Sequence, residues 1–227
     1  MQDSKHVHCA SLLSIAVAAA ALGVGFPLAH AEPPTPDYSN GTVVHFGDSF
    51  VDAGLQQSLR PKFNAASTRY LNFGKSSSYL ANWAFGKDLT NLYYSHRPAL
   101  FLINLGANET RAKPEARAAS VRQIVKTLKG TPCVWLSIPM WKGEPTGLNE
   151  MIRRESAPCR YFDSSVVAST LPRTRDGIHP SPTGGEIWAD ALWTWLRDER
   201  DPTKGAWALK PAPASEHGPR GPSPNGS

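Results

Sequence analysis

The run Leu100-Phe101-Leu102-Ile103-Asn104-Leu105 constrains the fold of this chain more than any other stretch. A single polar residue among apolar neighbours leaves no face for water, which is the pattern of a strand covered on both sides. Runs of the same kind lie at 42–46 and 133–138, and weaker ones at 69–73 and 160–163. The intervals between them carry helical spacing. Residues 53–63 and 78–85 read as helices, the first limited by Pro61, the second with Leu80, Trp83 and Ala84 inward. The best-marked helix is 114–129, where Pro114 suits the first turn, Glu115 complements the N-terminus and Gly130 suits the stop. Ala118, Val121, Val125 and Leu128 form its apolar stripe, and Arg117, Arg122, Lys126 and Lys129 lie mainly on its solvated face. A further helix is expected around Met151 and Ile152. The last begins at Thr183, whose hydroxyl and Glu186 form a capping-box pattern, and it buries Trp188, Ala191, Leu192 and Trp195. Short strands alternating with helices predict an α/β domain with a parallel sheet covered on both faces.

The two ends of the chain stand apart from this pattern. Residues 12–28 are apolar and Ala-rich, and Ala29-His30-Ala31 has the small-x-small form of a signal-peptidase site. The apolar stretch is too short and too weakly hydrophobic for a membrane span. Cys9 precedes that stretch, which argues against a lipid anchor. The expectation is a signal peptide at 1–31, cleaved near Ala31, and a secreted or periplasmic product. From Thr203 the chain is rich in Pro, Gly, Ser and Ala without periodicity, so 201–227 is expected to be a disordered tail. One domain is expected between, at 32–200.

The formal net charge is +5, and no basic run is interleaved with aromatics, so nucleic acid is not the expected partner. Past the leader the cysteines are Cys133 and Cys159, with no CxxC or HExxH spacing that would suit zinc. In an exported chain a single disulfide is favoured over a pair of core thiols.

Candidate chemistry begins where the first strand runs into Gly47-Asp48-Ser49. Ser49 then stands at a strand-to-helix turn, where free N–H groups favour developing negative charge. Ser and Asp are also ordinary helix caps, so the turn alone decides nothing. Of the histidines past the leader, His45 lies within the first strand, His96 in a loop before the third, and His217 in the tail. His179 remains, in Asp176-Gly177-Ile178-His179-Pro180, with a carboxylate three residues before the imidazole. That spacing lets Asp176 orient His179 as the base for Ser49, and it also fits a polar turn before a helix. Asn108, just past the third strand, and Gly74, closing the second, could donate to an oxyanion together with the Ser49 N–H, or serve only as a cap and a turn glycine.

Taken together these pieces resemble the SGNH hydrolases, also called the GDSL esterase/lipase family. Gly47-Asp48-Ser49-Phe50, Asn72-Phe73-Gly74, Gly106-Ala107-Asn108-Glu109 and Asp176-Gly177-Ile178-His179-Pro180 resemble four family blocks in the family's order. Phe50 stands where the family usually has Leu, and Glu109 where it usually has Asp. The resemblance implies a three-layer flavodoxin-like sandwich with a five-stranded parallel sheet, and no metal or organic cofactor. It implies a triad of Ser49, His179 and Asp176 and an oxyanion hole of Ser49, Gly74 and Asn108. In such a fold Cys133 and Cys159 open neighbouring strands away from the catalytic edge, where a disulfide would act as a staple.

Substrate clues are fewer. Pro139-Met140-Trp141-Lys142-Gly143 leaves the fourth strand on the site's side. Trp141 suits stacking on a sugar or covering an acyl chain, and equally a buried lid residue; Lys142 suits an anion. Arg173 and Arg175 read as solvated loop charges or as ligands for acidic groups. The chain lacks a long apolar insertion, so a small-acyl esterase is expected rather than a lipase, with O-acetylated carbohydrate the specific substrate. A polysaccharide O-acyltransferase using the same residues and a non-catalytic carbohydrate-binding domain are the alternatives. The ester substrate is the expected partner, and the chain is expected to act as a monomer with no membrane span.

Overall fold

In a computed structural model that describes residues 38–141 and 147–218, the apolar runs become one parallel sheet. Its strands are β1 (Thr42–Gly47), β2 (Arg69–Gly74), β3 (Leu100–Asn104), β4 (Cys133–Leu136) and β5 (Arg160–Phe162), in the order β2-β1-β3-β4-β5. Parallel neighbours need crossovers, and helices supply them on both faces. These are α1 (Ser49–Asp52), α2 (Leu55–Ala65), α3 (Leu80–Phe85), α4 (Asp88–His96), α5 (Ala118–Thr127), α6 (Leu148–Glu155), α7 (Ser165–Ala168) and α8 (Pro182–Glu199). The α2 and α7 helices pack on α8, while α3, α4 and α6 pack on α5. Every residue of β3 is buried, as its unbroken apolar run demands. The register aligns Gly47 with both Gly74 and Asn104, so three strands end level and open one common edge.

Several helices depart from their sequence signals. The α2 helix continues through Pro61 to Ala65. Proline there removes one ladder hydrogen bond, yet Leu55, Leu59 and Phe63 are completely buried, and that packing outweighs the loss. The α4 helix carries no clear stripe, because only Leu89 and Leu92 are buried among Tyr93 and Tyr94. His96 therefore closes a helix rather than sitting in a loop, and stacks on Phe73 with centroids 5.4 Å apart. The stretch from Pro114 opens as a 3₁₀ turn, Pro114–Arg117, before α5, whose core stripe uses Ile124 where Val125 was expected. The α8 cap is Ser181, whose Oγ accepts from the Gly184 N–H at 3.2 Å, not Thr183. Pro182 then occupies the first turn, where its missing N–H costs nothing.

At the amino ends of the strands, Cys133 and Cys159 form a disulfide with Cα atoms 4.7 Å apart. The same edge corrects the expected disordered tail at 201–227. Trp207 is 1% exposed; its indole donates to Thr68 Oγ1 at 3.0 Å, and its ring meets Phe63 edge-on at 5.0 Å. Glu216 accepts from Arg160 Nε and from the Tyr161 N–H, and Glu199 takes another Arg160 N–H at 2.7 Å. A stretch that is polar on average is thus anchored by the Trp207 indole and the Glu216 carboxylate, with Lys210 and His217 bonded to the backbone of the domain as well; residues 219–227 lie outside the described residues. The signal-peptide reading also falls on residues outside that range. Among the described residues no helix is long and apolar enough to cross a membrane.

Candidate active site

The turn after β1 places Ser49 at the start of α1, with Asp48 as its cap. Asp48 Oδ1 accepts from the Phe50 N–H at 3.0 Å, and Oδ2 accepts from the Gly106 and Ala107 N–H groups at 3.1 and 3.0 Å. One buried carboxylate therefore fastens the Ser49 turn to the loop leaving β3. Burial pushes the Asp48 carboxyl up to about 6, although the N–H bonds from Phe50, Ala107 and Gly106 pull the other way. Asp48 is the helix cap that the sequence allowed; its grip on the β3 loop needed the fold.

His179 reaches Ser49 from the far end of the chain. Its Nε2 lies 2.8 Å from Ser49 Oγ, and its Nδ1 lies 2.7 Å from Asp176 Oδ2. The other carboxylate oxygen, Asp176 Oδ1, accepts from the Ile178 N–H, the His179 N–H and Thr174 Oγ1 at 2.8, 3.0 and 2.7 Å. One oxygen builds the turn and the other orients the ring. The bond to His179, with those to Ile178 and Thr174, holds the Asp176 carboxyl well below the usual carboxylate range. An ionised Asp176 requires the proton on Nδ1, which leaves Nε2 to accept from the Ser49 hydroxyl.

The rest of the neighbourhood fixes that geometry. Gly185 packs directly on Gly54, where an added Cβ would lie 2.4 Å from the Gly54 carbonyl carbon. A glycine here lets the start of α8 close on α2, which brings the preceding His179 turn toward Ser49. The Phe50 ring lies 5.0 Å from the His179 ring and stacks on Trp141 at 5.9 Å. Trp141 is thus half-buried beside the site. Lys142 lies outside the described residues.

Arg173 was read as a solvated charge or an anion ligand, but its guanidinium is committed to carbonyls. It donates to Ile178 O, to Pro139 O at 2.8 Å and to Met140 O at 3.0 Å, tying the His179 turn to the loop carrying Trp141. Desolvation pulls its pKa down from the ordinary arginine value. Nothing in the local sequence marks this role, since the Pro139 and Met140 carbonyls come from a distant segment.

The expected oxyanion donors lie at the same edge of the sheet. Asn108, in a 3₁₀ turn after β3, gives one amide N–H to Ser78 O at 2.8 Å, which orients the other. The adjacent Glu109 is buried; its Oε1 accepts from the Leu80 N–H at 2.6 Å, and Oε2 has no partner. Burial pushes its carboxyl up to about 7, with Asp48 adding to the rise. Asp48 and Glu109 together lock three loops under Ser49. Gly74 closes β2, as the sequence suggests. It lines an adjoining cleft with Trp83 and Asn91, and a Cβ there would lie 2.3 Å from Asp52 Oδ2. Gly74 ends β2 level with Gly47, at the edge that carries Ser49, and it also leaves room for the Asp52 carboxylate.

His45 is a core residue, as expected. Its Nδ1 lies 2.6 Å from Tyr70 Oη, and burial pulls its pKa down to about 3, so the ring is neutral. Among the described residues no group of His, Cys, Asp and Glu is arranged to hold a metal.

No protein-family model matches the chain. Protein BcsX of Komagataeibacter xylinus is 26% identical over 220 residues, covering 76% of this chain and 82% of that protein. Among solved structures, a lipase/acylhydrolase from Enterococcus faecalis superposes with a TM-score of 0.58 at 17% identity, over 77% of this chain and 100% of that one. An acetyl xylan esterase, AlAXEase, superposes with a TM-score of 0.57 at 15% identity, over 68% of this chain and 99% of that one. The fold is that of the SGNH, or GDSL, hydrolases, as the sequence blocks imply.

Proposed function

We propose that this chain is an exported serine esterase that hydrolyses small acyl esters, O-acetyl groups on carbohydrate in particular. The observation that carries the reading is the continuous line Ser49 Oγ–His179 Nε2–His179 Nδ1–Asp176 Oδ2, with links of 2.8 and 2.7 Å. As Ser49 Oγ attacks the ester carbonyl, Nε2 takes the hydroxyl proton, and the imidazolium faces the Asp176 carboxylate. The Ser49 N–H, the Gly74 N–H and the second N–H of the Asn108 amide receive the oxyanion; each such donor stabilises the transition state by about 2.7–4 kcal/mol. His179 then returns the proton to the leaving alkoxide, which departs as the alcohol. Water repeats the sequence on the acyl-enzyme and releases the acid. The acetyl xylan esterase and lipase/acylhydrolase among the similar structures support the reaction class. The disulfide agrees with an oxidising compartment. One chain supplies the whole triad, which fits a monomer.

Hydrolysis of a p-nitrophenyl acyl series by the wild type and by Ser49→Ala tests this. Turnover of acetate and propionate esters that vanishes in the variant is expected; no turnover dependent on Ser49 rejects it. Acyl transfer to a polysaccharide hydroxyl uses the same residues, and release of p-nitrophenol only with added sugar would favour it.

A further inference from the structure

A cleft of about 410 Å³ opens beside Ser49 between α1–α2 and the His179 turn, walled by Asp52, Gln57, Thr174, Asp176, His179 and Pro182 among others. Resting on the esterase reading above, its place identifies which half of the ester it holds. The leaving oxygen must come within reach of His179 Nε2 to be protonated, so the alcohol half lies on the His179 side, in this cleft. The wall facing that alcohol carries Asp52, one helical turn after Ser49.

Asp52 is seated for this. Its carboxylate occupies the space left by Gly74, where a Cβ would collide with it at 2.3 Å. A long bond from Asn72 Nδ2 at 3.4 Å holds one oxygen loosely, which leaves the carboxylate capacity to accept from a ligand in the cleft that Asp52 lines. Asn72 is itself held by Arg60. Among the nearby cations, Arg60 reaches Asp52 through Asn72 and does not line the cleft, Arg173 is committed to carbonyls, and Arg175 does not line the cleft. The ionised Asp176 adds a second negative group on the opposite wall.

We infer that Asp52 selects the alcohol of the substrate, accepting hydrogen bonds from the hydroxyls of a neutral sugar and repelling acidic sugars. A carboxylate acceptor for hydroxyl donors gains a charge-assisted bond, and a uronate at the same place meets the like charges of Asp52 and Asp176. The basic net charge of the whole chain would by itself favour acidic polymers. Local chemistry and overall charge therefore make opposite predictions.

The matched pair O-acetylglucose and O-acetylglucuronate separates them. The wild type should prefer the neutral ester by about tenfold or more in kcat/KM, and Asp52→Asn should lower that ratio about tenfold. Gly74→Ala, which keeps the charge but displaces the carboxylate, should move the ratio the same way. The same ratio read as dissociation constants with Ser49→Ala answers the question even in a protein that does not turn over. A failure of esterase activity is thereby distinguished from a failure of selection. Equal ratios in wild type and Asp52→Asn, or a wild-type preference for the uronate, would overturn the inference.

Discussion

At the carboxyl ends of the strands, Ser49 and His179 meet across 130 residues of chain through one 2.8 Å hydrogen bond. At the amino ends, Cys133 and Cys159 are joined covalently, and Arg160 holds Glu199 and Glu216 at 2.7 and 2.9 Å. The far-edge carboxylates are each paired with Arg160, although Arg200 Nε and His217 Nε2 in the same region are buried without hydrogen-bond partners. The buried carboxylates near Ser49 have no such ion pair: Glu109 Oε2 is buried without a partner, and burial pushes the Asp48 and Glu109 carboxyls up. The contrast is physical economy of a familiar kind, in which strain and poorly solvated charge collect where chemistry happens and the rest of the fold carries the stability.

Changes at the two edges should accordingly be read out in different quantities. His179→Ala should lower kcat on p-nitrophenyl acetate by roughly 10⁴-fold or more while moving the urea midpoint little. A comparable loss of stability would break the division. Trp207→Ala, at the far edge, should do the reverse, with about 3–5 kcal/mol of stability lost and kcat retained in the folded fraction; chemical denaturation beside initial rates checks it. Replacing both Cys133 and Cys159 by Ala should cost about 3 kcal/mol for a loop of this length, again without altering the rate of folded protein.

The smallest effect is the most diagnostic of the catalytic edge. Glu109 has a folded-state pKa of about 7 against an ordinary 4.5. A raised acid contributes its full stability below about pH 4.5 and loses it as pH rises through about 7. Gln at 109 mimics the protonated form, so Glu109→Gln should be more stable than wild type at pH 8, by on the order of 2 kcal/mol. The two should converge at pH 5. Urea melts at the two pH values measure it, and a variant equally destabilised at both would show that Glu109 is needed ionised. Asp176 runs the other way: its depressed pKa makes its stabilisation fade only as pH falls below the ordinary carboxylate value of 3.8.

Much of this was legible in the sequence, for identifiable reasons. The strands were readable because burial on both faces leaves an unbroken apolar signature, as in Leu100 to Ile103. Ser49, Asp176 and His179 were readable because each sits in a short turn whose chemistry is local. Asp52 and Arg173 were not, since their meaning lies in what a distant segment brings: the space at Gly74 for one, the carbonyls of Pro139 and Met140 for the other. The room that Gly74 leaves for Asp52 was likewise out of reach, because in sequence it is only the glycine that closes a strand. Trp207 was hidden by averaging, as a single buried indole cannot lift the hydropathy of a Pro- and Gly-rich stretch.

The central claim is that the His179–Asp176 pair activates Ser49. Reaction with a fluorophosphonate, followed by peptide mass mapping, tests it without knowledge of the natural ester. The account predicts a single adduct, on Ser49, that forms rapidly in wild type and is lost in His179→Ala. An adduct on another residue, or equal labelling of Ser49 with and without His179, would contradict it.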